Sequence, residues 1–209
     1  MMKTPIFFLL LGLAGAPLYA KEFTNAQKEL LEKSHFTDAQ LEAFGYSRKG
    51  DQNIMGMTVN ATGGIPGRVA GALQLLKQKS YYDYQYVLKY IKRIENGDQS
   101  VVSANSETPT AYLKESTLER ESPAELAAAL VHEACHVEIS QTEGKKTSFP
   151  AYEDQQKEEQ RCIDKEKMVI RKLGATVRDV SYLARQDGAH FDANKDGKYD
   201  EKDRTAQTW

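Results

Sequence analysis

The segment that begins at Ser122 predicts a helix that has to lie in the interior of the protein. Ser122 can cap a helix, Pro123 suits the first helical position, and the side chain of Glu125 can reach back to complete a capping box. Residues 126–131 are all apolar or small, and the helix is expected to run to about Ser140. Because a helix that is apolar on every side is stable only when other elements cover it, the rest of the fold must be built around this one.

The remainder of the chain predicts an α+β fold that is mostly helical, with a small sheet. A length of 209 residues suits one domain, whose central core is expected over residues 80–174. Apolar residues at three-four spacing indicate helices, whereas short alternating stretches indicate strands. We expect helices over 22–44, 80–96 and about 150–173, the last stopped by Gly174, and strands over 54–59, 101–103 and 110–115.

The first twenty residues have the layout of a secretory signal peptide. Lys3 precedes an apolar run over 6–16, and the small residue Ala20 stands directly before charged residues. The run is too short to span a bilayer comfortably, so cleavage after Ala20 is expected. We therefore expect an exported protein, periplasmic or secreted, with its main domain over 21–186 and an acidic tail over 187–209.

The buried helix carries a pattern with metal-ligand spacing, His132-Glu133-Ala134-Cys135-His136. Residues four apart lie one above the other on a helix, so His132 and His136 can direct both imidazoles at one ion. Glu133 is rotated away from this line and can hold a water on the ion without being a ligand itself. Two histidines and a glutamate would be costly to bury without partners, and a bound zinc ion would resolve that cost.

Zinc needs a third protein ligand, and the helix after residue 150 is rich in carboxylates. The expected buried stripe of that helix passes through Glu166, Cys162 and Glu159, which places Glu159 on the face toward the first helix. Glu159 is therefore the first candidate for the third ligand. Glu158 and Glu166 are alternatives, and Asp179, further along the chain, is another.

These residues resemble the gluzincin branch of the zincin metallopeptidases, in which a glutamate from the next helix joins an HExxH motif. The resemblance covers roughly residues 110–174 and implies a minimal zincin-like domain with two ligand-bearing helices. It implies that His132, His136 and Glu159 bind zinc. It also implies that the protein hydrolyses peptide bonds by attack of a zinc-bound water, with Glu133 as the general base.

The same resemblance implies that the substrate is a peptide or a protein. The strand over 110–115 would be an edge strand to which an extended peptide adds. Gln155 stands where many gluzincins have asparagine before the third ligand.

A further donor to the substrate oxyanion is also expected. The candidates for this donor are Tyr112, Tyr152, Tyr182 and His190, among which the sequence does not choose.

Two other functions stay open at this point. One is a zincin-fold binding or assembly protein of the cell envelope that holds zinc without catalysis, and the other is a calcium-dependent interaction module. Binding to nucleic acid is disfavoured, because 28 Lys and Arg stand against 30 Asp and Glu and no basic block occurs. No segment after the signal peptide is apolar enough to span a membrane.

The chain has two cysteines, and both fall beside the predicted metal site. Cys135 lies within the histidine motif, and Cys162 lies three residues after Glu159 on the facing helix. In an exported protein this placement favours a disulfide between the two helices. Two buried free thiols are the alternative.

The acidic tail contains a segment that resembles an EF-hand calcium loop. Gly197 stands at the position of the sharp turn, whereas Asp203 replaces the usual terminal glutamate and Tyr199 replaces an aliphatic residue. A structural calcium ion is therefore expected, with a solvated acidic tail as the alternative. The calcium ligands would be Asp192, Asn194, Asp196, Lys198 through its carbonyl, Asp200 and Asp203.

Overall fold

A computed structural model describes residues 50–98, 100–118, 121–144, 151–175, 183, 188–189, 191–198, 200 and 203. The predicted signal peptide and the predicted helices over 22–44 lie outside these residues. So do three candidate site residues, Asp179, Tyr182 and His190. The division into domains stays a prediction.

The described residues form an α+β fold that is mostly helical, which confirms the predicted class. None of the helices in these parts of the chain is both long enough and apolar enough to cross a membrane. The helices are α1 (Ile65–Lys79), α2 (Tyr81–Tyr90), α3 (Glu115–Leu118), α4 (Pro123–Glu143) and α5 (Tyr152–Lys172), and the strands are β1 (Gln52–Ile54), β2 (Met57–Asn60), β3 (Arg93–Asn96), β4 (Val101–Val102) and β5 (Thr110–Leu113).

The five strands form one mixed sheet in the order β1-β2-β3-β5-β4. The inner strands β2, β3 and β5 are parallel, whereas β1 and β4 run antiparallel to their neighbours. The single strand expected over 54–59 is wrong, because Met55 and Gly56 turn the chain between β1 and β2. Their φ angles are +52° and +89°, and two successive positive φ angles are typical of a tight hairpin.

The helix expected over 80–96 is also wrong in its second half. It ends at Tyr90, and Ile91 is already extended. The next residues form β3, which pairs with β5 on one side and β2 on the other. Ile91 fits the helical spacing of the residues before it, but Ile94 pairs with Ala111 of β5, so strand pairing outweighs the local helical pattern in this segment.

Helix α1 has no counterpart among the predicted elements. Pro66 stands in its first turn, and glycines at 67 and 71 weaken the helical pattern. The pattern that indicates this helix is the spacing of Val69, Leu73 and Leu76, all of which are fully buried.

Strand β5 was expected at an edge of the sheet, and this expectation is wrong. The strand does form over 110–113, but it lies between β3 and β4 and pairs with both. The edge on that side is β4, which also contacts α4.

Helix α4 lies in the core, as its composition predicts. Its capping box is present, since the Ser122 hydroxyl accepts a hydrogen bond from the Glu125 amide at 3.2 Å and the Glu125 carboxylate accepts one from the Ser122 amide at 2.6 Å. Helix α5 packs against α4 and ends before Gly174, whose φ of +77° suits a residue without a side chain. These two helices carry the candidate site.

Candidate metal site

Three side chains converge between α4 and α5. The Nε2 atoms of His132 and His136 are 3.0 Å apart, and Oε2 of Glu159 lies 3.5 Å from each of them. Glu159 is buried, and both histidines are partly buried. This group could hold a metal ion, and it is the only such group of histidine, cysteine and acidic side chains in the part of the chain that the structure describes.

The spacing of these three atoms suits a small divalent ion. Nitrogen and oxygen ligands lie about 2.0–2.2 Å from zinc, so neighbouring ligand atoms of a tetrahedral site lie about 3.3 Å apart. Separations of 3.0 and 3.5 Å bracket that value. Two imidazoles and one carboxylate are also a donor set typical of zinc with one position left for water. The residues therefore fit a metal, although the spacing does not identify which one.

The outward-facing nitrogens of both imidazoles have carboxylate partners on α5. Nδ1 of His132 lies 3.0 Å from Oε2 of Glu166, and Nδ1 of His136 lies 3.0 Å from Oε1 of Glu158. Glu158 and Glu166, the two alternative third ligands, therefore contact the outer sides of the rings. Glu159 is the carboxylate that faces both inner nitrogens.

The carboxylate of Glu159 is held by a neighbour one turn earlier on the same helix. Nε2 of Gln155 donates a hydrogen bond to Oε1 of Glu159 at 2.9 Å. Because Oε1 is engaged in this way, the carboxylate is oriented with Oε2 toward the histidines. Gln155 thus supports the carboxylate four residues later.

The electrostatics of the metal-free site favour charged imidazoles. Burial by itself lowers the pKa of His132, but hydrogen bonds to Glu159 and Glu166 outweigh it and raise the pKa to about 9. For His136, burial is likewise outweighed, by the charge of Glu159 and the bond to Glu158, and its pKa is raised well above the usual range. The carboxylates of Glu158, Glu159 and Glu166 therefore favour positive charge between the two helices.

Glu133 lies next to this group and is partly buried. Burial raises the pKa of its carboxyl, although the charges of His132 and His136 act in the opposite direction. Its interactions with both imidazoles and with Glu159 place it within the electrostatic field of the site. The arrangement gives one carboxylate that faces the histidines, Glu159, and a second that interacts with their charge, Glu133.

The predicted disulfide between Cys135 and Cys162 is confirmed. It joins α4 to α5 with a Cα–Cα distance of 5.5 Å, and both residues are fully buried. Cys135 is adjacent to His136, and Cys162 lies one turn beyond Glu159. The covalent link between the helices therefore lies within one turn of candidate ligands on each side.

A second group of contacts ties α4 to α2, and the sequence did not predict it. The Glu138 carboxylate accepts hydrogen bonds from the hydroxyls of Tyr86 and Tyr90 at 2.8 and 3.3 Å. Lys165 of α5 also binds Glu138 at 3.0 Å, and its Nζ lies 3.7 Å from the centre of the Tyr86 ring. These contacts hold the three helices α2, α4 and α5 together.

The described residues of the acidic tail are joined by local hydrogen bonds. The carboxylate of Asp192 accepts hydrogen bonds from the amides of Asp196 and Gly197, and that of Asp203 accepts them from the amides of Asn194 and Asp200. The carboxylates of Asp192 and Asp203 are buried, and Gly197 has a φ of +78°. Calcium binding by this loop stays a prediction.

The donor to a substrate oxyanion also stays a prediction. The Tyr152 ring packs on the ring of Phe191 with centres 5.1 Å apart, and Tyr112 is a partly buried residue of β5. Tyr182 and His190, the other two candidates, lie outside the described residues.

No protein family, curated protein or solved structure matches this chain.

Proposed function

We propose that this protein is a zinc-dependent peptidase of the gluzincin type. The observation that supports this most directly is the convergence of two Nε2 atoms and one glutamate oxygen within 3.5 Å of one another, with Glu133 beside them. Those are the donors that the HExxH motif and the following helix were expected to supply. Zinc bound there would polarise a substrate carbonyl and make a water molecule a stronger nucleophile at neutral pH.

The chain's own residues have distinct roles in this proposal. His132, His136 and Glu159 hold the ion. Glu133 accepts a proton from the attacking water as the carbon–oxygen bond forms, and it donates that proton to the leaving amine as the carbon–nitrogen bond breaks. The position of Glu133 supports this role, because it directly follows His132 in the chain and interacts with both imidazoles and with Glu159.

The position of β4 at one edge of the sheet supports the proposal that the substrate is a peptide. Strand β4 lies at the edge and contacts α4, and the Ser140 hydroxyl of α4 donates a hydrogen bond to the side chain of Asn105, just after β4. An extended peptide can add to such an edge through main-chain hydrogen bonds. It would then run alongside the helix that carries both histidines.

A substitution at Glu133 tests the proposed function. The purified wild type should contain zinc and digest a peptide library in a chelator-sensitive way. Glu133→Gln should keep its zinc but lose at least about a hundredfold in rate, the usual contribution of a general base. Glu143→Gln, the same change on an exposed position of the same helix, is the matched control and should behave as wild type. Full activity of Glu133→Gln would contradict the proposal, and zinc without any turnover would favour a non-catalytic binding protein.

We also propose export and calcium binding. The disulfide supports export, since disulfides persist in oxidising compartments, and N-terminal sequencing of the protein from its native cell should find Lys21 first.

The buried residues Asp192 and Asp203 support calcium binding. Calcium, but not magnesium, should raise the melting temperature of the wild type and not of Asp192→Asn. An unchanged wild type in millimolar calcium would contradict this.

A further inference from the structure

We propose that Glu158 and Glu166 are positioning residues of the metal site, each of which fixes one histidine ring through a hydrogen bond from Nδ1. This inference rests on the proposed function, and it assigns roles to two carboxylates that are not themselves ligands. Its basis is a pair of matching contacts, from His136 to Glu158 and from His132 to Glu166, both 3.0 Å long.

The register of the two helices explains why there are two such contacts. The later histidine meets the earlier glutamate, and the earlier histidine meets the later glutamate, so α4 and α5 run antiparallel at this point. With a rise of about 1.5 Å per residue, the histidines are separated by about 6 Å along α4 and the glutamates by about 12 Å along α5. The two glutamates therefore reach the histidine pair from its two ends, while Oε2 of Glu159 lies 3.5 Å from both Nε2 atoms.

The contacts determine which nitrogen each ring presents to the ion. An ionised carboxylate can only accept hydrogen bonds, so the ring nitrogen that faces it has to carry a proton. Nδ1–H is therefore the donor in both rings, and in the neutral imidazole Nε2 keeps the lone pair that a metal needs. Both Nε2 atoms point toward Oε2 of Glu159, so tautomer and orientation agree with a shared ion.

Burial makes these two contacts stronger than the same contacts would be at an exposed site. The side chains of Glu158 and Glu166 are only 12% and 14% exposed, and those of the histidines are similarly covered. An exposed ion pair is worth little because water competes for both partners. Here the surrounding helices limit that competition, so the loss of either carboxylate should loosen one ring.

Zinc affinity measured by competition with a chromogenic chelator tests the inference. Glu158→Ala and Glu166→Ala remove the hydrogen bond. The aspartate variants at each position keep the charge on a side chain one methylene shorter, and the glutamine variants keep the length and an oxygen that accepts the bond. Glu153→Ala, an exposed position on the same helix, is the matched control.

We expect the alanine and aspartate variants to bind zinc about 10- to 100-fold more weakly. The glutamine variants should recover most of the affinity, and Glu153→Ala should equal the wild type. The imidazole N–H resonances provide a separate measurement: Glu158→Ala should lose the slowly exchanging signal of His136 and keep that of His132, and Glu166→Ala should do the reverse. A merely structural effect would not divide the two signals in this way.

The outcomes separate this inference from the proposed function. Wild-type protein that binds no zinc overturns the proposed function and this inference with it. If the wild type binds zinc and the alanine variants bind it equally well with both imidazole signals intact, only the positioning role is overturned. Should an alanine variant fail to fold, the glutamine and aspartate pair decides, because equal zinc affinity in those two would overturn a role that depends on the hydrogen bond.

Discussion

Cys135 and Cys162 form a disulfide that joins α4 to α5 between the positions at which the two helices present their candidate ligands. Cys135 lies between Glu133 and His136, and Cys162 lies between Glu159 and Glu166. Because both helices are fixed at this point, the distances between imidazoles and carboxylates depend on the link. The disulfide is thus part of the support of the site as well as of the fold.

We predict that the double variant Cys135→Ala/Cys162→Ala is less stable by about 3 kcal/mol, the usual effect of opening a loop of this length in the unfolded chain. The two residues are separated by 27 positions. Zinc affinity should fall as well, since α5 is then held to α4 only by packing and by non-covalent side-chain contacts. Urea unfolding and chelator competition would measure the two effects. A reductant should shift the wild type toward the variant and leave the variant unchanged, and equal stability of the oxidised and reduced wild type would contradict the prediction.

The carboxylates of α5 should differ in their importance for metal binding. We predict that Glu159→Ala weakens zinc binding more than Glu158→Ala or Glu166→Ala, because only Glu159 faces both Nε2 atoms. Gln155→Ala should have a smaller effect, because it removes only the bond that orients Glu159. Isothermal titration of the metal-free proteins with zinc would give the ranking. A greater loss in Glu158→Ala or Glu166→Ala would mean that the third ligand is misassigned.

Local sequence rules predicted α4 and the alignment of its histidines, because capping and helical periodicity involve only neighbouring residues. They failed for β3, since whether Ile94 lies in a helix or in a strand depends on its pairing with β5, a segment distant in sequence. They ranked Glu159 first as the third ligand but did not predict that Glu158 and Glu166 contact the outer ring nitrogens. These contacts depend on how α5 is placed along α4, which only the packing and the disulfide fix.

The capping box at the start of α4 should stabilise the folded protein. Ser122→Ala should lower the free energy of unfolding by about 1 kcal/mol, since it leaves the Glu125 amide without its side-chain acceptor. Ser122→Asn keeps a side-chain oxygen that can accept this bond and should remain close to the wild type. Chemical denaturation of the three proteins would test this. An alanine variant as stable as the asparagine variant would show that the cap contributes nothing.

Glu121 should make stability depend on pH. Burial, followed by the charges of Glu125 and Glu166, raises the pKa of its carboxyl to about 7, although Arg68 acts in the opposite direction. A carboxyl with a raised pKa in the folded state contributes stability that is fully present below its unfolded pKa and is lost as the pH rises through the folded value. Stability from this group should therefore fall between about pH 4.5 and 7.

We predict that Glu121→Gln removes this fall, because glutamine resembles the protonated carboxyl at every pH. At pH 8 the variant should be more stable than the wild type by about 1–2 kcal/mol, less than the full pKa shift implies because the side chain keeps some contact with water. Below pH 4.5 the two proteins should be equally stable. Urea unfolding at several pH values would measure the difference, with Glu143→Gln as the exposed control. A difference between wild type and Glu121→Gln that does not change with pH would contradict the assignment of a raised pKa to Glu121.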